Sequence, residues 1–160
     1  MSLDLDFLQQ NVLFPLTIEE VTATTASPFV NCSEAVGRLH FLVSIGNGDT
    51  ATVLTLETCT SNSTTGATLV AVPFTYRKSG AAAAYSWGDP TTSANTGVTL
   101  SATDDHMSYW IEADPAASTS GYNYYRIYAT IASEHGTATV LAMYCFYTPR
   151  FAQNSAISAS

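Results

Sequence analysis

The chain has 160 residues, enough for one domain with its own core, and 46% of them are hydrophobic. Charge is scarce at 11% and lopsided, with five Lys and Arg against thirteen Asp and Glu and a net charge of -8. Phosphate backbones and anionic lipids both recruit clustered Lys and Arg. Here Arg38, Arg77, Lys78, Arg126 and Arg150 are scattered apart from one adjacent pair, so neither nucleic acid nor a membrane is an expected partner.

Residues 1–27 differ from the rest of the chain. Leu3, Phe7, Leu8 and Val12 follow helical spacing, and Pro15 stops a helix near Phe14. The expectation is an N-terminal arm, partly helical or extended, leading through Thr-rich chain to Ser27-Pro28. Leu3, Phe7, Leu8, Leu13 and Phe14 are too apolar to stay in water. They dock either on their own domain or on a neighbouring subunit. The first residues place Asp4 and Asp6 where a secretory leader carries basic side chains. No apolar run approaches the ~20 residues of a membrane helix. Folding in a reducing cytoplasm is expected.

From Phe29 the period is two. Leu39, Phe41, Val43 and Ile45 alternate with His40, Leu42 and Ser44. After Gly46-Asn47-Gly48-Asp49, the run from Thr52 to Thr58 sets Leu54 and Leu56 against Val53, Thr55 and Glu57. The Asn-Gly signal predicts that these two runs form a hairpin. A further strand is predicted over Leu69–Tyr76, then a long Gly-, Ala- and Ser-rich excursion over 79–97 containing Tyr85 and Trp87. A short strand is expected at Val98–Leu100. Another comes next, in which Met107, Tyr109, Ile111 and Ala113 alternate with Ser108, Trp110 and Glu112. Two long strands, Tyr124–Ala132 and Thr137–Tyr147, close the domain at about residue 150, and 151–160 form a tail. About eight β-rich strands with turns every ten or so residues predict an all-β, antiparallel, jelly-roll-like β-sandwich over 28–150.

Reactive constellations are sparse. Cys32, Cys59 and Cys145 have no metal-ligand spacing, and their odd number leaves at least one free thiol. They read as small buried hydrophobes, although a Cys32–Cys59 bridge stays open. His40 belongs to a sheet face and His135 to a turn. Asp104-Asp105-His106 reads as a turn that bonds its own backbone in preference to an ion site. Glu57, Glu112 and Glu134 could supply a carboxylate pair, but no spacing selects one. No nucleophile-elbow, zinc-helix, P-loop or dinucleotide motif occurs. The reading is therefore non-enzymatic: no catalytic residues, no cofactor and no metal. Tyr85 and Trp87 remain a candidate recognition loop, able to stack on sugar rings.

The segments Pro73-Phe74-Thr75-Tyr76-Arg77, Ala84-Tyr85-Ser86-Trp87-Gly88, Gly97-Val98-Thr99-Leu100-Ser101-Ala102-Thr103-Asp104-Asp105, Ile111-Glu112-Ala113-Asp114, Tyr125-Arg126-Ile127 and Thr148-Pro149-Arg150-Phe151 succeed one another in an order that resembles small virion proteins of tailed bacteriophages. The resemblance spans about 29–152. It implies a capsid decoration (cement) protein, bound to the outside of the shell and stabilising contacts between major capsid protein subunits. It also implies a homo-oligomer, dimer or trimer, folded in the host bacterial cytoplasm. A tail, fibre or baseplate component and a carbohydrate-binding module are the alternatives. Leu3, Phe7, Leu8, Leu13, Phe14, Arg150 and Phe151 are the candidate subunit or capsid contacts.

Overall fold

The computed structural model describes residues 12–17, 23–33, 35–46, 52–63, 65, 68–80, 86–101, 103–117, 120–131 and 140–149. Within them the chain forms twelve strands and one 3-10 turn, Pro115–Ala117. The strands are β1 (Val12–Thr17), β2 (Thr25–Ala26), β3 (Val30–Asn31), β4 (Ala35–Ile45), β5 (Thr52–Cys59) and β6 (Val70–Val72). They continue with β7 (Phe74–Lys78), β8 (Thr91–Ser93), β9 (Val98–Thr99), β10 (Ser108–Ala113), β11 (Tyr124–Ile131) and β12 (Val140–Pro149). All pairings are antiparallel. The protein is an all-β sandwich.

Sheet I runs β1-β12-β4-β10-β7-β8 and sheet II runs β2-β11-β5-β6, with β3 added beside β11 and β9 beside β5. The ladders nest: β1 pairs with β12, β2 with β11, β4 with β10, and β5 with β6. The chain is thus one long folded ribbon. Rolling that ribbon brings β12 against β4 and β11 against β5, which closes the two sheets.

Alternation decides which side chains seal the interior. In β10 the residues Tyr109, Ile111 and Ala113 are buried while Ser108, Trp110 and Glu112 stay partly exposed. β5 and β11 repeat the pattern, with Leu54, Leu56, Tyr125 and Ile127 inside. β4 adds Leu39, Phe41, Val43 and Ile45, all at most 1% exposed. Each such side chain contributes roughly 1.5–3 kcal/mol on leaving water.

The structure corrects the expected hairpin. β4 lies in sheet I and β5 in sheet II, so the two runs face each other across the core and do not pair. Each has one apolar edge, and stacking the edges face to face buries both. The last two strands separate in the same way, β11 into sheet II and β12 into sheet I. The single strand expected over Leu69–Tyr76 is split at Pro73, which cannot donate a ladder bond. β6 stays in sheet II and β7 moves to sheet I. The excursion 79–97 contributes β8 and an isolated bridge, Ser79 to Trp87.

Of the expected arm, only 12–17 and 23–27 are described, and two pieces of it belong to the sheets. Val12–Thr17 is extended and pairs along β12, and Thr25–Ala26 pairs with β11. The helical spacing that included Val12 therefore does not carry into the described part. Leu3, Phe7 and Leu8 lie outside the described residues, as do Tyr85, Arg150 and Phe151.

Two glycines hold positions that a side chain resists. Gly37 has φ 81 where the β4–β12 register slips, and an added Cβ would meet open space. Gly97 has φ 86, and an added Cβ would lie 2.5 Å from the Leu54 carbonyl oxygen. Gly37→Ala is expected to cost about 1 kcal/mol, the backbone penalty alone, whereas Gly97→Ala must also push β9 off β5. Urea denaturation should show Gly97→Ala as the more destabilised of the two.

Candidate functional surface

The outward-facing side chains of sheet I form one aromatic cluster. The register places Glu112 opposite His40 and His40 opposite Phe146, while Trp110 sits opposite Leu42 on one side and Arg77 on the other. His40 stacks on Phe146 with centroids 4.9 Å apart and planes at 14°. Trp110 stands edge-on to both, 5.5 Å from His40 and 5.0 Å from Phe146. Trp87, carried beside β7 by its bridge to Ser79, continues the row with its centroid 5.8 Å from that of Trp110. It is 43% exposed.

Polar atoms lock this cluster. The Trp110 indole N–H donates to His40 Nδ1 at 3.2 Å and to Glu112 Oε1 at 3.1 Å. Arg38 donates to the other Glu112 oxygen at 2.9 Å. Nδ1 acts as an acceptor, so the neutral imidazole carries its proton on Nε2. Burial pushes the His40 pKa down, Glu112 pulls it up, and Arg38 pushes it down again, leaving it below the ordinary value. Arg77 is exposed and forms no ion pair with any described residue.

The outer face of sheet II is built differently. Arg126 directs Nε and a terminal nitrogen at one Glu57 oxygen, 2.8 and 2.7 Å away. The guanidinium lies 4.8 Å from the Phe29 centroid and 5.4 Å from that of Tyr128. Glu57 and Glu112 therefore occupy opposite outer surfaces, each held by an arginine, with the core between them. They cannot flank a common substrate, which disposes of one carboxylate pairing left open by the sequence.

Asp104 is fully buried, and its carboxylate accepts bonds from Lys78 Nζ, the Tyr109 hydroxyl and the Ser101 amide (2.8 Å). Burial raises its pKa, but these donors together outweigh that and hold it below the usual carboxylate range. Tyr109 is pushed up by burial and by the adjacent carboxylate. The turn after Asp104 places exposed His106 at φ 58 and ties its amide to the Gly46 carbonyl. The turn expected at Asp104-Asp105-His106 is present. Among the described residues no group of His, Cys, Asp or Glu could hold a metal ion.

The three cysteines are buried and free, so the Cys32–Cys59 bridge is absent. Burial pushes Cys32 up to about 12 and Cys145 well above its ordinary value, the latter also because Cys32 is near. Neither is a ready nucleophile. At one end of the sandwich, Phe74, Tyr125, Pro73 and Glu112 line a groove of about 230 Å³, and more open depressions of about 350 and 620 Å³ lie beside β8 and β9 and beside Phe29 and Arg126.

Of the expected site residues, Trp87 alone has a described side chain at a surface. Leu13 and Phe14 are placed by backbone register opposite Phe146 and Cys145. Sequence reasoning missed the gathering of His40, Trp110, Phe146 and Trp87. It had His40 and Trp110 facing away from the apolar side of their strands, but not that β4, β10 and β12 are neighbours. Comparison with protein families, characterised proteins and solved structures finds no match to this chain.

Two pH effects are expected. His40 has a lowered folded pKa, so below about pH 6.5 the unfolded chain binds the proton more readily and stability falls. Titrating stability from pH 7 to 5 should show this loss, and His40→Phe should remove it. The stabilisation from Asp104, also lowered, is complete above about pH 4 and is lost as pH falls further. Asp104→Ala, which strips acceptors from Lys78 and buried Tyr109, should cost about 2–4 kcal/mol by chemical denaturation at pH 7.

Proposed function

We propose that the chain is a non-enzymatic structural component of a tailed-phage particle. It binds the outer surface of the capsid as a homo-oligomer and stabilises contacts between major capsid protein subunits. The observation that carries this reading is the strand order. With β3, β7, β8 and β9 set aside, the eight remaining strands, numbered in chain order, lie as 1-8-3-6 in one sheet and 2-7-4-5 in the other. That order supports reading the sandwich as jelly-roll-like, an architecture used by viral capsid domains and by lectins. Architecture alone does not assign function. Three of the described carboxylates, Glu57, Glu112 and Asp104, are each paired with a cation, which agrees with the reading. The broad outer face of sheet I suits docking over a wide area.

A carbohydrate-binding module is the second reading, favoured by one observation, the exposed ring of Trp87. A glycan array with Trp87→Ala as control separates it from the first.

The direct test adds purified protein to shells of the particle that encodes it, prepared without this chain. The protein should sediment with the shells and raise their disassembly temperature. Failure to co-sediment under conditions where the shell is intact contradicts the proposal. Truncation to probe the arm should stop at residue 10, because β1 begins at Val12 and belongs to sheet I.

A further inference from the structure

Three atoms in the aromatic cluster of sheet I share a single proton. The Trp110 indole N–H points at His40 Nδ1, 3.2 Å away, and at Glu112 Oε1, 3.1 Å away. His40 Nδ1 and Glu112 Oε1 are themselves 3.7 Å apart, so one donor and two acceptors form a closed triangle. With the imidazole neutral, one N–H meets two lone pairs and the triangle holds. A neutral histidine offers one ring nitrogen as an acceptor, and a protonated one offers none. A proton on Nδ1 sets two N–H donors against one carboxylate oxygen, with the two nitrogens 3.2 Å apart and facing each other.

The surroundings decide which member yields. Glu112 is held from its other side, because Arg38 donates to Oε2 at 2.9 Å. His40 is held by its stack on Phe146, whose ring face also favours a cation. An imidazolium bonds a carboxylate more strongly than a neutral indole does. Trp110 touches His40 and Phe146 only edge-on. We propose that His40, Trp110 and Glu112 form a proton-operated latch in the outer face of sheet I. One proton on His40 Nδ1 tightens the His40–Glu112 contact and displaces the Trp110 indole, which opens the latch. The displacement passes to exposed Trp87, whose ring stands against that of Trp110 at 5.8 Å.

Burial opposes protonation of His40 most strongly, Glu112 of β10 favours it, and Arg38 of β4 opposes it. The latch therefore opens below about pH 6.5. Further from His40, the charged groups described on this face are Arg77 of β7, opposite Trp110, and exposed Asp114, which bonds the Ala116 amide in the turn packed on β4. Asp89 is exposed close to Trp87. From β12, Phe146 stands opposite His40 and Tyr144 opposite Leu42.

Trp110 and Trp87 are the two tryptophans of the chain, so the full-length protein carries its own reporters. Indole N–H signals of isotope-labelled protein are followed by nuclear magnetic resonance from about pH 7.5 to about 5, with far-UV circular dichroism alongside. The Trp110 signal should move in one step, sharing its midpoint with the His40 ring signals, while secondary structure stays unchanged. The Trp87 signal should move with it. His40→Phe keeps a ring against Phe146 but has no acceptor, and should leave both indole signals flat. Glu112→Gln should lower the midpoint by roughly one pH unit, and Arg38→Gln should raise it.

A Trp110 signal that stays flat while the His40 ring titrates overturns the inference. So does an indole step whose midpoint differs from that of His40, one that survives in His40→Phe, or one that coincides with unfolding. Should His40→Phe fail to fold, the shared midpoint in the unaltered protein decides alone. The latch is a property of the isolated chain and stands apart from shell binding. Its loss leaves that reading intact, and a chain that ignores shells keeps its latch.

Discussion

Everything in this molecule depends on two apolar sheet faces excluding water from between them. Leu39, Phe41, Val43 and Ile45 of β4 and Tyr109 and Ile111 of β10 meet Leu54, Leu56, Tyr125 and Ile127 of β5 and β11. No disulfide and, among the described residues, no metal cluster assists. The nested ladders result from that requirement. A ribbon with one oily side can bury it only by rolling, and rolling alternates successive strands between the layers. The few polar groups taken inside are answered by direct bonds, as where Lys78, Tyr109 and Ser101 surround the Asp104 carboxylate.

With the interior sealed, the side chains open to a neighbour are those of the outer faces. These side chains are bonded to one another: Arg126 to Glu57 on sheet II, and Arg38, Glu112, Trp110 and His40 in sequence on sheet I. These bonds hold the outer side chains in fixed positions. What they leave unspent is Trp87 and Arg77, an exposed ring and a charge with no ion partner among the described residues, at one edge of sheet I. In interfaces generally, a few central aromatic and arginine side chains carry most of the energy.

Much of the fold was legible because period two is a strong signal wherever one face is buried. The alternation identified Leu39, Phe41, Val43, Ile45, Leu54, Leu56, Tyr109, Ile111 and Ala113 as sharing faces that the structure places inside, while Met107 stays partly exposed. Pairing was not legible. The Gly46-Asn47-Gly48-Asp49 sequence reads as a hairpin turn, yet the strands on either side of it belong to different sheets, because local turn chemistry is indifferent to which partner offers the larger apolar face. Pro73 lay inside a run read as one strand, and its use as the point of crossing from sheet II to sheet I was not legible. The outer cluster was hidden for the same reason. His40, Trp110 and Phe146 are far apart in sequence and meet only once β12, β4 and β10 lie side by side.

The proposed role is that this sandwich works through its outer face as part of an assembled particle. A density map of the intact virion, with this chain fitted into it, tests the claim most directly. The account places the chain on the exterior of the shell with the outer face of sheet I, Trp87 and Arg77 included, against a protein neighbour. Density for the chain with that face open to solvent, or particles that lack the chain altogether, would contradict it.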